Sequence, residues 1–181
     1  AAPTAGSSGT FPGVLFALEK KLNLSRRNEI DFLLCASGFG LIVANHATIA
    51  GATGGCQAEV GSASAMAAAA AVEVSGGTPQ QSAEAFAFSL SNLLGLVCDP
   101  VAGLVEVPCV DRNVVGAVNA LAAADMALAG LTNTIPADEV IMAMKDVGER
   151  MPRELRETGL GGLAATPTGN QIKFNIFGTE A

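Results

Sequence analysis

Three cysteines, Cys56, Cys98 and Cys109, draw attention by where they fall. Each lies in a segment broken by Gly or Pro, beside polar side chains: Gln57 and Glu59, then Asp99, then Asp111 and Arg112. Loops at helix ends expose backbone N–H groups, which stabilise thiolates and donate hydrogen bonds to sulfur. Three unrelated small residues in turns would give the same pattern. No C-x-x-C pair is present, so the spacing permits a metal site without requiring one. Two metal chemistries stay open. Zinc held by the three cysteines and His46, the only histidine, is one. The other is a [4Fe–4S] cluster in which three thiolates hold three irons and the fourth iron, left open, is a Lewis acid. Cys35, in "DFLLCASGFG", sits in an apolar helical stretch and reads as core packing.

The elements that must position these residues read as helices. A turn-rich start, "AAPTAGSSGTF", leads into a helix from about Pro12 to Asn23. Ser25 can cap a second helix over roughly 26–45, which is apolar on most sides after Asp31 and is therefore expected to be the buried central one. "ATIAGATGGC" breaks the pattern, and "QAEVGSASAMAAAAAVEV" resumes it with small side chains that let neighbouring backbones approach. Gly76 and Gly77 stop that helix. Thr78, Pro79 and Gln81 start the next with a capping box, and it runs to about Leu96. The stretch 97–109 is expected to be a stiff loop because of Pro100, Gly103 and Pro108. Helices follow over about Asp111 to Ala129 and from "IPADEV" to Met151, then a loop over 158–170. The alternation in "QIKFNIF" (171–177) predicts a short strand. The fold class is all-α: one compact helical domain over 1–181, with the cysteines on Gly/Pro-rich loops.

Composition narrows the function. The 181 residues are 50% hydrophobic and 15% charged, with a net charge of −7. No basic cluster exceeds Arg26-Arg27, which argues against nucleic acid and anionic membranes as partners. Tyr and Trp are absent, so the usual stacking platforms for single-stranded nucleic acid are missing too. The apolar run Phe32–Ala44 is shorter than the roughly 20 residues a membrane span needs. No signal peptide is visible, and reduced thiols in the cytoplasm are the expected state. The chain opens on a motif without an initiator Met, as a fragment or processed subunit would.

Four long motifs carry a resemblance: "APTAGSSG" (2–9), "NHATIAGATGGCQAEVGSASAMAAAA" (45–70), "NLLGLVCDPVAGLVEVPCVDRN" (92–113) and "RETGLGGLAATPTG" (156–169). In content and order they resemble the iron–sulfur-dependent L-serine dehydratases, in the alpha subunit or C-terminal catalytic domain. The resemblance implies an all-helical catalytic domain and conversion of L-serine to pyruvate and ammonia. It implies an oxygen-sensitive [4Fe–4S] cluster on Cys56, Cys98 and Cys109. It also implies further helical chain ahead of the first motif, a beta subunit or regulatory domain, and a dimer of the complete enzyme.

Eliminating water from serine needs help with a poor leaving group and a weakly acidic Cα–H. Pyridoxal phosphate on a lysine is one solution, but Lys20, Lys21, Lys145 and Lys173 all lie outside Gly-rich motifs, so that cofactor has no support here. An open iron can instead coordinate the hydroxyl. His46 and Glu59 are the candidate bases. Thr4, Ser7 and Ser8, just ahead of a helix start, with Arg112, are candidates for binding the substrate. Arg112 and Arg156 could equally pair with Asp99, Asp111 or Glu157. Two alternatives remain: a non-catalytic Fe–S or zinc module that acts through a partner, and a related lyase acting on L-cysteine.

Overall fold

The structure, a computed structural model, describes residues 3–178. Among these there are eight α-helices and no strand: α1 (Thr10–Leu22), α2 (Arg26–His46), α3 (Gly51–Gly54), α4 (Ser62–Val74), α5 (Pro79–Ser91), α6 (Cys109–Leu128), α7 (Ala137–Arg150) and α8 (Pro167–Phe177). No helix is long and apolar enough to cross a membrane among the described residues.

The central helix is α4, not α2. From Ser62 to Val72 every residue of α4 is buried, and α1, α2, α5 and α6 all pack on it. The reason lies in side-chain size rather than hydrophobicity. An almost pure alanine surface lets helix axes approach on all sides, whereas large apolar side chains hold neighbours apart. The α2 helix buries one stripe, Phe32, Ala36, Gly40 and Val43. Cys35 and Phe39 pack partly buried beside that stripe, but several large apolar side chains stay exposed, Leu34 and Leu41 each at 63%. Gly40 marks the closest approach of α2 to α4: a Cβ there would stand 2.6 Å from Met66 Cε. Phe11 of α1 meets Phe32 at 4.9 Å with the rings tilted, and Phe39 stacks on Phe86 at 5.2 Å, closing the core on both sides of α4.

The helix starts follow local chemistry. Ser25 caps α2 as expected and forms a full capping box with Asn28, and Thr78 forms the expected one; the Thr78 Oγ1 accepts from Gln81 N at 3.2 Å and Gln81 Oε1 accepts from Thr78 N at 2.9 Å. The α5 helix stops at Ser91 rather than near Leu96. Residues 171–177 are helical, correcting the expected strand. Thr166 caps α8 through Gly169 N at 3.1 Å, Pro167 takes the first position, and no neighbouring strand offers ladder bonds among the described residues.

The α7 helix buries Val140, Ile141, Met144 and Gly148. At Gly148 it meets backbone directly, since a Cβ would stand 2.9 Å from Gly54 Cα. Gly148→Ala therefore pushes α7 off α3. The expected cost is about 1–3 kcal/mol, read as a drop in thermal midpoint of about 2–4 °C per kcal/mol. An unchanged midpoint would mean that this contact is not tight.

Candidate functional site

The three cysteines come from three separate segments. Cys56 lies between α3 and a π-helical turn, Gln57–Gly61, that leads into α4. Cys98 lies in the irregular stretch after α5. Cys109 is the first residue of α6, so the 97–109 loop ends one residue early and only part of the expected loop placement holds. All three thiols are free. They are close enough for each to feel another: Cys56 and Cys109 both push Cys98 up, and Cys109 pushes Cys56 up.

One buried amide fixes this convergence. The Gln57 side chain is fully buried and donates from Nε2 to Gly54 O and Met144 O, both at 3.0 Å. Its Oε1 accepts from Gly95 N at 2.9 Å, and its own backbone N donates to Leu96 O at 2.9 Å. Cys56 is thereby tied to α3, α7 and the segment that leads into Cys98. The segment after α7 then pairs with Cys98 itself. Cys98 N donates to Leu155 O at 2.8 Å and Glu157 N to Cys98 O at 2.6 Å, a single parallel bridge.

A second hub holds the first motif against α6. Asn113 Oδ1 accepts from Gly9 N at 3.0 Å, Thr10 N at 2.8 Å and Thr10 Oγ1 at 2.8 Å. Its Nδ2 donates to Gly6 O and Cys109 O, both at 2.8 Å. This places the 4–9 turn over Glu59, whose Oε1 would collide with a Cβ on Gly6. Thr4 donates its hydroxyl to Glu59, and Gly51 N–H donates to the same carboxyl.

The electrostatics follow from burial. The Cys56 thiol is pushed up to about 11, first by burial, with Arg112 opposing and Glu59 adding. Burial also raises Cys98, reinforced by Cys56, Glu157, Glu59 and Cys109, and raises Cys109. Burial raises the Glu59 carboxyl, against the Thr4 hydrogen bond and with help from Glu157. Three soft sulfurs and two carboxylates thus crowd one region, with Arg112 the cation that opposes the rise at Cys56 and Cys109. That donor set suits soft metal ions, whose positive charge would make thiolates favourable. Among the described residues no three His, Cys, Asp or Glu side chains meet at one point as a single ion demands. A polynuclear cluster holds its thiolates further apart.

The sequence candidates separate. Glu59 and Thr4 lie at the thiols. Ser7 is buried, with its Oγ 3.2 Å from Thr4 Oγ1, so it braces the turn; Ser8 is exposed. Arg112 takes the pairing role: Nη1 donates to Asp99 Oδ1 at 2.7 Å and to Val97 O at 2.7 Å. Asp99, buried, also accepts from Leu163 N at 2.7 Å, which fastens the 160s loop to the site. Arg156 Nη1 donates to Thr53 O at 3.4 Å. His46 goes elsewhere: it is exposed at the end of α2, in a hollow shared with Ile42, Asp138, Ile141 and Met142. Sequence reading gave no site role to Gln57, Asn113 or Glu157. Their motif positions beside Cys56, Cys109 and Arg156 were the only signal. A larger hollow of ≈ 470 Å³ runs between α1 and α6 and meets the site at one end, along Gly6, Ser8, Cys109 and Asn113. Val110, Val114 and Val118 make it too apolar for a small polar ligand.

These features define a class: a helical protein that gathers soft donors from distant segments into one buried site. Comparison with known proteins agrees. The serine dehydratase alpha chain family matches residues 1–164. The chain is 72% identical over 180 residues to the probable L-serine dehydratase alpha chain of Latilactobacillus sakei, covering 99% of this chain and 86% of that one. It is 67% identical over 178 residues to the probable L-serine dehydratase alpha chain of Bacillus subtilis, covering 98% of this chain. It is 54% identical over 173 residues to the L-serine dehydratase alpha chain of Peptoniphilus asaccharolyticus, covering 96% of this chain. It spans 59% of the length of each of the last two. The chain belongs to the serine dehydratase alpha chain family.

Gln57→Leu leaves Gly95 N, Gly54 O and Met144 O without their partner. We expect a loss of about 3–9 kcal/mol by denaturant unfolding, since each such group costs about 1–3 kcal/mol. A variant as stable as the parent would show that the amide does not brace the site.

Proposed function

We propose that this chain deaminates L-serine to pyruvate and ammonia, with Cys56, Cys98 and Cys109 holding a [4Fe–4S] cluster. The observation that carries this reading is the convergence of those three thiols on Glu59, in a chain whose relatives are named L-serine dehydratases. Such a cluster, held by three cysteines, supplies one open iron as a Lewis acid on the substrate hydroxyl. Zinc fits less well, because the fourth ligand that reading needs, His46, lies by Asp138 and Met142.

The chain's own residues divide the remaining work. Glu59 removes the proton on the serine Cα. Its raised proton affinity, caused by burial, makes it a stronger base than an exposed carboxylate. Thr4 and Gly51 N–H orient it. Hydroxide leaves Cβ as the Cα–H electrons form the double bond, and the released aminoacrylate hydrolyses without the protein. Asn113 holds the Thr4 turn in place, and the exposed Ser8 hydroxyl faces the substrate carboxylate. Arg112, through Asp99, stiffens the Cys98 segment. We further propose that the chain works with a beta subunit or regulatory domain, in a dimer of the complete enzyme.

Anaerobic reconstitution with iron and sulfide should give broad absorbance near about 400 nm that air bleaches. Pyruvate release should follow it, and Ala at Cys56, Cys98 or Cys109 should abolish both. Turnover by metal-free protein would overturn the reading. Glu59→Gln should keep the absorbance and lower kcat by about 10²–10⁴-fold; an unchanged kcat would remove Glu59 as the base.

A further inference from the structure

One site residue has no task in this scheme. Glu157 follows the Cys98–Arg156 bridge in a left-handed conformation, φ 63°, which for a residue with a side chain is held only where surrounding bonds impose it. The imposing bond is its N–H to Cys98 O, at 2.6 Å. The result is a carboxylate beside the thiol: a Cβ built on Gly51 would stand 3.0 Å from Cys98 Sγ and 3.4 Å from Glu157 Oε2. Glu157 also acts on Cys98, Cys109 and Glu59. The residue is exposed, and the four ion pairs among the described residues leave its carboxylate out.

The two site carboxylates therefore differ. Glu59 is half-buried and bonded by Thr4 and Gly51. Glu157 is open to solvent and forms no ion pair among the described residues, while Arg112 is paired with Asp99. We infer that Glu157 binds the α-ammonium group of the amino-acid substrate and so selects amino acids over hydroxy acids. The inference rests on the serine reading above. An ammonium over Glu157 puts Cα between that carboxylate and Glu59, which leaves the hydroxyl and carboxylate of serine to the thiol side and the 4–9 turn. Salt bridging to an open carboxylate also explains why a strained residue is held there: a Gly would suit the backbone better but would carry no charge.

The test compares two ligands on the anaerobically reconstituted holoenzyme by equilibrium binding, alongside turnover. One is L-serine; the other is 3-hydroxypropanoate, which is serine without its amino group. Glu157→Gln should weaken L-serine binding and raise KM by about tenfold or more, the loss of one charge-assisted contact. Binding of 3-hydroxypropanoate and the visible absorbance should stay as in the parent. Glu157→Gly, which relieves the backbone, should fold and show the same selective loss. Equal weakening of both ligands, loss of absorbance, or unchanged serine binding would each overturn the assignment. A parent that binds and turns over no serine would instead overturn the function on which it rests.

Discussion

The buried amide of Gln57 is the contact on which the site depends. Among the described residues it is the one side chain that bonds at once to α3, α7 and the segment entering Cys98. A buried amide in an alanine-rich core is costly unless its bonds are made, so its three partners are fixed as firmly as the core itself. Since Gln57 follows Cys56 directly, fixing the amide fixes the first thiol. The π-helical turn that carries it also brings Val60 against Cys56 and Cys98, so the two thiols share one small buried cluster.

The rest of the fold supplies walls for that turn. The alanine surface of α4 admits α1, α2, α5 and α6 at close range, and α6 begins at Cys109 because Pro108 and the Asn113 hub define its start. Where α6 crosses α4 the same economy recurs. Ser64 donates to Gly116 O at 2.6 Å and lies 2.8 Å from Ser89 Oγ, with Asn119 completing the network. Polar groups in this core are few, and each of these ties helices that contribute a cysteine segment.

Much of this was legible in the sequence. The capping boxes at Ser25 and Thr78, the breaks around Gly54 and Pro100, and the apolar period of α7 gave the helices. The Gly- and Pro-flanked cysteines permitted a metal site, and the four-motif resemblance is what implied a cluster on them. What sequence pattern could not give was rank among helices. The α2 helix has the larger apolar side chains, yet α4 is central because packing distance, not hydropathy, decides how many neighbours fit. Alternation in 171–177 suggested a strand, but alternation means little without a partner strand, and Thr166 with Pro167 favours a helix. His46 looked like a site residue because it is the only histidine and lies ten residues before Cys56. Ten residues that include a helix end and two turns were enough to send it to another face. Glu157 could not be ranked from sequence, since its placement depends on a long-range bridge to Cys98.

The site's charge balance frames the central claim. Three thiols raised by burial and by one another, two carboxylates and one committed arginine make a region that metal cations would satisfy. Three cysteines leave one iron of a four-iron cluster for substrate, and this is what distinguishes a Lewis-acid site from an electron carrier. Mössbauer spectroscopy of the ⁵⁷Fe-reconstituted protein, with and without L-serine, tests that most directly. The account predicts that one iron of the cluster changes its signal on serine addition while the others keep theirs. A spectrum that serine leaves unaltered, in protein that binds serine, would contradict it.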